Sequence, residues 1–168
     1  RRQRQMCIRD RLIVAGFFLA SCAATKTEEG GNVDAASTSA SSSSGGEITA
    51  GTQEDLIVNV GDRVFFEFDS SELTVDAQAT LDAQAAWLMQ YPDTNITVEG
   101  HADERGTREY NLALGDKRAF SVYSYLAQAG IDTNRMEYVS WGKERPDVIG
   151  SDETAYSQNR RGVTIVSN

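Results

Sequence analysis

The densest run of side chains able to do chemistry is residues 100–111, Gly-His-Ala-Asp-Glu-Arg-Gly-Thr-Arg-Glu-Tyr-Asn. Seven residues after Asn111, two helical turns on, stands Arg118, so a helix beginning after Asn111 brings Arg118 back to the side of the loop that holds Asp103. An acid and an arginine displayed together can receive a zwitterion, the guanidinium taking a carboxylate through two hydrogen bonds and the carboxylate taking an ammonium. The alternative for the pair is a salt bridge between Asp103 and Arg118 that only fixes the loop. Glu99 and Asp103 can also be read as an acid and base for glycan cleavage, the hydrolase alternative. Glu99, however, ends a strand, where carboxylates are commonly just solvated. His101 is the only histidine and lacks a second metal ligand or a neighbouring nucleophile, which favours a structural role and gives no cofactor or metal site. Arg160 and Arg161 precede the last strand, where one could reach a ligand carboxylate and the other close the fold by pairing with an acid; both are read as structural.

These groups need a scaffold, and the chain alternates strand and helix signals from residue 51 on. Residues 63–68 (Arg-Val-Phe-Phe-Glu-Phe) are β-rich and end in the turn signal Asp69-Ser70-Ser71. Thr74 caps a helix to about Met89 with Ala77, Leu81, Ala85 and Leu88 on one face, and Pro92 follows its end. A strand over 96–99 comes next. The helix after Asn111 carries the stripe Leu112, Ala119, Val122, Leu126 and Ala129 and ends before Gly130. Strands over 136–140 and 163–166 and a short helix around 151–159 complete the pattern. Two β-α-β units imply crossovers that pack helices on a small sheet, so the expected fold is a two-layer α/β sandwich on a mixed sheet. A loop leaving the carboxyl end of a strand is where such sheets place ligands, and 100–111 is such a loop.

The formal charge of −9 conceals a split, because residues 51–168 hold 10 basic and 20 acidic side chains, a net −10. An acidic domain of this kind repels nucleic acid, which is excluded as a partner. Both cysteines, Cys7 and Cys22, precede any segment with a core to staple.

Residues 12–20 (LIVAGFFLA) form an apolar run too short for a bilayer, which takes ~20 residues, but suited to a secretory signal peptide over 1–21. The run ends in Leu19-Ala20-Ser21-Cys22, which resembles a lipobox with Cys22 as the lipidated residue; Ala23, where Asp would typically retain the protein in the inner membrane, points to the outer membrane. Residues 1–11 read as adapter-derived sequence. From 22 to 50 the chain is a Ser/Gly/Ala-rich tether with almost nothing to bury. Such a tether has a root-mean-square span of about 30 Å.

The run 99–111 (Glu-Gly-His-Ala-Asp-Glu-Arg-Gly-Thr-Arg-Glu-Tyr-Asn), continued by Leu114-Gly115-Asp116-Lys117-Arg118-Ala119, Trp141-Gly142-Lys143-Glu144-Arg145-Pro146 and Gln158-Asn159-Arg160-Arg161, resembles the signature of the Pal family of OmpA-like domains over residues 58–168. Trp141 stands where the family commonly has Tyr. The resemblance implies a non-enzymatic module in which Asp103 and Arg118 hold the diaminopimelate side chain of the peptidoglycan stem peptide. It also implies that Asn111 contacts the ligand and that Asp69 and Ser70 form a rim loop. A TolB-like periplasmic protein is the implied protein partner, within the Tol-Pal system at division. A stator subunit would need a long apolar helix before this domain and a barrel porin many alternating strands, and residues 23–50 fit neither. Substitution of Asp103 or Arg118 is expected to weaken binding while the domain stays folded.

Overall fold

The computed structural model describes residues 48–167. Cys22, the signal segment and nearly all of the tether lie outside the described residues. The chain runs α1 (Gln53–Asn59), β1 (Arg63–Phe65), α2 (Val75–Gln90), β2 (Ile96–His101), α3 (Arg108–Gln128), a single 3₁₀ turn, β3 (Met136–Gly142), α4 (Glu153–Asn159) and β4 (Arg161–Val166). The sheet order is β1-β4-β2-β3, with β3 parallel to β2 and β4 antiparallel to both β1 and β2. This is the expected α/β sandwich on a mixed sheet. One detail differs: β4 inserts between β1 and β2, so the first β-α-β unit is split and only β2-α3-β3 joins adjacent parallel strands.

The core fills the space between the sheet and helices α2 and α3. Leu81, Ala85 and Leu88 of α2 and Ala119, Val122 and Leu126 of α3 meet Val64, Ile96, Val98 and Met136 of the strands. Ala77, Leu81, Ala85 and Leu88 recur at helical spacing and all are buried, as the sequence pattern requires. Thr74 caps α2 by accepting the amide of Ala77 at 3.1 Å. Because side chains alternate along a strand, Ile96 and Val98 on the helix side leave Glu99 and His101 on the other face.

Several boundaries depart from the sequence reading. Strand β1 stops at Phe65, since Phe66 makes one last bond to the carbonyl of Arg160 and the chain then turns away at Asp69, whose φ of 53° is left-handed. Helix α3 starts at Arg108, because the hydroxyl of Thr107 accepts the amide of Tyr110 and makes Thr107 the cap. Asn111 therefore lies in the first turn rather than at the cap. Leu112, placed in the apolar stripe above, is 49% exposed. Strand β2 runs on to His101, two residues past the expected end, and β4 begins at Arg161 rather than 163. Helix α1 was not anticipated; Leu56 is its one buried apolar anchor, with Asp55 accepting the indole N–H of Trp87 at 2.9 Å.

The site is positioned by unusually close contact between α3 and β2. A methyl group at Gly100 would overlap the carbonyl oxygen of Gly115 and come within 2.8 Å of its carbonyl carbon. A methyl at Gly115 would in turn stand 2.8 Å from the Gly100 oxygen. With glycine on both sides the helix backbone lies against the strand, which puts Arg118 directly behind the end of β2.

Candidate functional site

The chain leaves β2 at His101 and reaches Asp103 two residues later, buried at 5% exposure. Both oxygens of Asp103 are engaged. Oδ1 accepts the backbone N–H of Arg105 at 3.0 Å, and Oδ2 accepts Arg105 Nη2 at 2.6 Å and Arg160 Nη1 at 3.5 Å. Burial opposes ionisation of Asp103, but the side-chain and backbone hydrogen bonds of Arg105 outweigh it and hold the carboxyl below its usual range. The Arg105 guanidinium is itself stacked between the rings of Phe68 and Tyr156, 4.3 Å from each centroid. Lys143 fastens the loop from outside by donating to the carbonyls of Glu104 and Gly106, and Asn111 fastens it from within by donating to the carbonyl of Arg105 at 2.8 Å.

Arg118 is fully buried, yet among the described residues it forms no ion pair. Its donors go to carbonyls: Nε to Ser70 at 2.8 Å, Nη1 to His101 at 2.8 Å and Nη2 to Glu67 at 3.1 Å. Burial pushes its pKa down to about 10, with Asp103 acting the other way. A guanidinium has five N–H groups, so one on each terminal nitrogen remains for another acceptor. A buried cation without a carboxylate is costly unless something completes it.

Asp69, Asp103, Asn111 and Arg118 line one cavity of about 230 Å³, with Phe68, Tyr110 and Leu114 as its apolar walls. Four of the five predicted residues are thus gathered in one place. Ser70 is the exception: its carbonyl holds Arg118, and its hydroxyl accepts the amide of Glu72. The anticipated alternative, a direct Asp103–Arg118 salt bridge, is absent, because Asp103 is taken by Arg105 and Arg160. Arg160 also donates to the carbonyl of Phe66 and pairs with Glu153, in keeping with a structural role. Glu99 lies outside the cavity and faces His101 and Arg145, so it cannot form an acid and base pair with Asp103. A larger groove of about 610 Å³ beside β1 and α2 contains none of the predicted site residues. Sequence reasoning passed over Tyr110 and Leu114, although with Asn111 and Arg118 they recur at helical spacing on one face.

His101 is buried at 1% exposure with both ring nitrogens lacking a hydrogen-bond partner; Glu99 Oε2 is 3.4 Å from Nε2. Burial, then Arg161, lower its pKa to about 4 against the opposing pull of Glu99. The ring is neutral at pH 7. With the folded pKa below the unfolded one, the unfolded chain binds more protons between about 6.5 and 4, so stability falls as the pH drops through that window. The expected loss is on the order of 3 kcal/mol by pH 4. Urea titrations at pH 7 and pH 4.2 check it, since His101→Gln is expected to flatten the dependence within this window.

A model described as the OmpA family matches residues 65–160. A peptidoglycan-associated lipoprotein of Rhizobium meliloti is 50% identical over 154 residues, covering 92% of this chain and 84% of that protein. The chain belongs to the peptidoglycan-associated lipoprotein family. Another family member, from Brucella melitensis, is 55% identical over 122 residues, 73% of each chain. The crystal structure of the peptidoglycan-associated lipoprotein from Burkholderia pseudomallei superposes with a TM-score of 0.61 at 43% identity, covering 63% of this chain and 90% of that one. The C-terminal domain of Helicobacter pylori MotB shares the fold at 23% identity and a TM-score of 0.59. Peptidoglycan-associated lipoproteins are a non-enzymatic family, and the hydrolase reading is set aside.

Proposed function

We propose that the protein anchors the bacterial outer membrane to the cell wall by binding the diaminopimelate side chain of the peptidoglycan stem peptide in the cavity between Asp103 and Arg118. The observation that supports this most is the fully buried Arg118, with two unused N–H groups and no carboxylate partner among the described residues. The end of a diaminopimelate side chain supplies a carboxylate for those groups and an ammonium for the acidic side of the cavity. Its methylenes match the walls of Phe68, Tyr110 and Leu114. The relatives' name, peptidoglycan-associated lipoprotein, supports peptidoglycan as the polymer bound. Residues 1–21 act as the signal peptide, a lipidated Cys22 holds the outer membrane, and 22–50 serve as the tether that lets domain 51–168 reach the wall from the periplasm. Two or three acyl chains on Cys22 suffice for firm anchoring, at ~0.8 kcal/mol per buried methylene. By family resemblance a TolB-like periplasmic protein is the protein partner, within the Tol-Pal system at division.

Asp103→Asn tests the binding role in a domain that still folds, because Arg160 keeps Glu153 and the Phe66 carbonyl while Arg105 keeps its stack between Phe68 and Tyr156. Leaving a ligand charge unpaired in a desolvated site costs ~2 to 5 kcal/mol. The expected result is at least a ~30-fold loss in co-sedimentation with purified sacculi from a domain that still folds, with a melting temperature lowered by a few degrees because the buried carboxylate also pairs with Arg105 and Arg160. Wild-type binding by Asp103→Asn would remove Asp103 from the site.

A further inference from the structure

At the mouth of the cavity two segments 41 residues apart are joined by one side-chain bond, the Tyr110 hydroxyl donating to Asp69 Oδ1. Asp69 is the one non-glycine residue with a left-handed backbone among the described residues, φ 53°, a conformation that Asp tolerates better than most. Its second oxygen, Oδ2, has no partner among them, and both residues line the cavity. Tyr110 is half exposed, so its bond adds little to the stability of the fold. The phenol is nonetheless held above its usual range by the hydrogen bond to the Asp69 carboxylate, which marks that bond as its dominant interaction.

An exposed carboxylate on a turn samples several rotamers, and a ligand must select one of them. A tyrosine from the first turn of α3, a rigid element fixed against β2, removes that freedom beforehand. Resting on the cavity as the ligand site, we propose that Tyr110 is a positioning residue for recognition: its hydroxyl holds the Asp69 carboxylate so that Oδ2 faces the N–H groups of the entering ligand. Asp69 and Asp103 then present two acids to one ammonium from opposite sides, while Arg118 takes the carboxylate. Phenylalanine at 110 keeps the wall and loses the hold.

A double-mutant cycle separates this role from a purely structural one. The full chain, Tyr110→Phe, Asp69→Gly and the double variant are titrated calorimetrically with a muropeptide ending in diaminopimelate, and melting curves are recorded in parallel. Glycine at 69 removes the carboxylate without straining the left-handed backbone. Tyr110→Phe is expected to weaken binding about three- to ten-fold, the equivalent of one hydrogen bond, with an unchanged melting temperature, and to have no further effect in the Asp69→Gly background. Wild-type affinity in Tyr110→Phe, or an equal loss in both backgrounds, overturns the proposal. A wild-type chain that does not bind the muropeptide overturns the ligand assignment and the proposal with it, an outcome distinct from a wild type that binds and a Tyr110→Phe that binds equally well.

Discussion

Arg118→Ala is expected to abolish sacculus binding and to destabilise the domain by about 3 kcal/mol or more, lowering its melting temperature by on the order of 10 °C. The reason is that one side chain serves two purposes. Three of its N–H groups hold the carbonyls of Glu67, Ser70 and His101, which belong to the turn after β1 and to the end of β2. Alanine strands all three and leaves a void where a long side chain lay against Phe66, 5.3 Å from the ring centroid. These three carbonyl bonds add a loss of stability to the loss of binding that the sequence led one to expect. Arg118→Lys sharpens the test, because an ammonium keeps the charge but cannot reproduce the planar fork. The lysine variant is expected to fold less stably than wild type and to bind weakly. A melting temperature within 2 °C of wild type for Arg118→Ala, a shift worth well under 1 kcal/mol here, would show that the carbonyl contacts do not hold the turn.

Gly100→Ala is expected to be more damaging still, although it adds a single methyl group at a residue that does not line the cavity. That methyl overlaps the Gly115 carbonyl and lies 3.0 Å from the Cβ of Ala119, so backbone, not a flexible side chain, must give way. Overpacking of ordinary cores costs ~1 to 3 kcal/mol, and a clash with helix backbone belongs at or above the top of that range. Relief requires α3 to lift from β2, which carries Arg118 away from the His101 carbonyl. The variant is therefore expected to unfold at markedly lower urea concentration and to lose binding even where it remains folded. Gly115→Ala, on the other side of the contact, is expected to act in the same direction. A Gly100→Ala protein with a wild-type urea midpoint would contradict the close approach.

How much of this was legible beforehand follows from the kind of signal each feature leaves. Helix α2 announced itself by a cap and a four-residue apolar rhythm, Thr74 then Ala77, Leu81, Ala85 and Leu88, and these are local properties. Gathering Asp69, Asp103, Asn111 and Arg118 into one cavity was also readable, through helical spacing and the family resemblance. What the chain text concealed was partner choice. Asp103 and Arg118 look like a pair in sequence, but the pairing depends on where Arg105 and Arg160 arrive, and Arg160 comes from 57 residues away. The insertion of β4 between β1 and β2 is likewise a long-range event with no local mark. Thr107 rather than Asn111 caps α3 because both residue types cap well and only the path of the loop decides between them.

The central claim is that the cavity reads a zwitterion, with Arg118 taking a carboxylate that Asp103 and its surroundings cannot. The most direct measurement compares two muropeptides that differ only in the third residue of the stem, diaminopimelate in one and lysine in the other, by calorimetric titration against the wild-type chain. Lysine retains the ammonium and the methylenes but lacks the terminal carboxylate, leaving the free N–H groups of Arg118 without an acceptor. An unmet buried charge costs ~2 to 5 kcal/mol, so the account predicts binding of the diaminopimelate peptide and an affinity at least 30-fold weaker for the lysine peptide. Equal affinity for the two would contradict it.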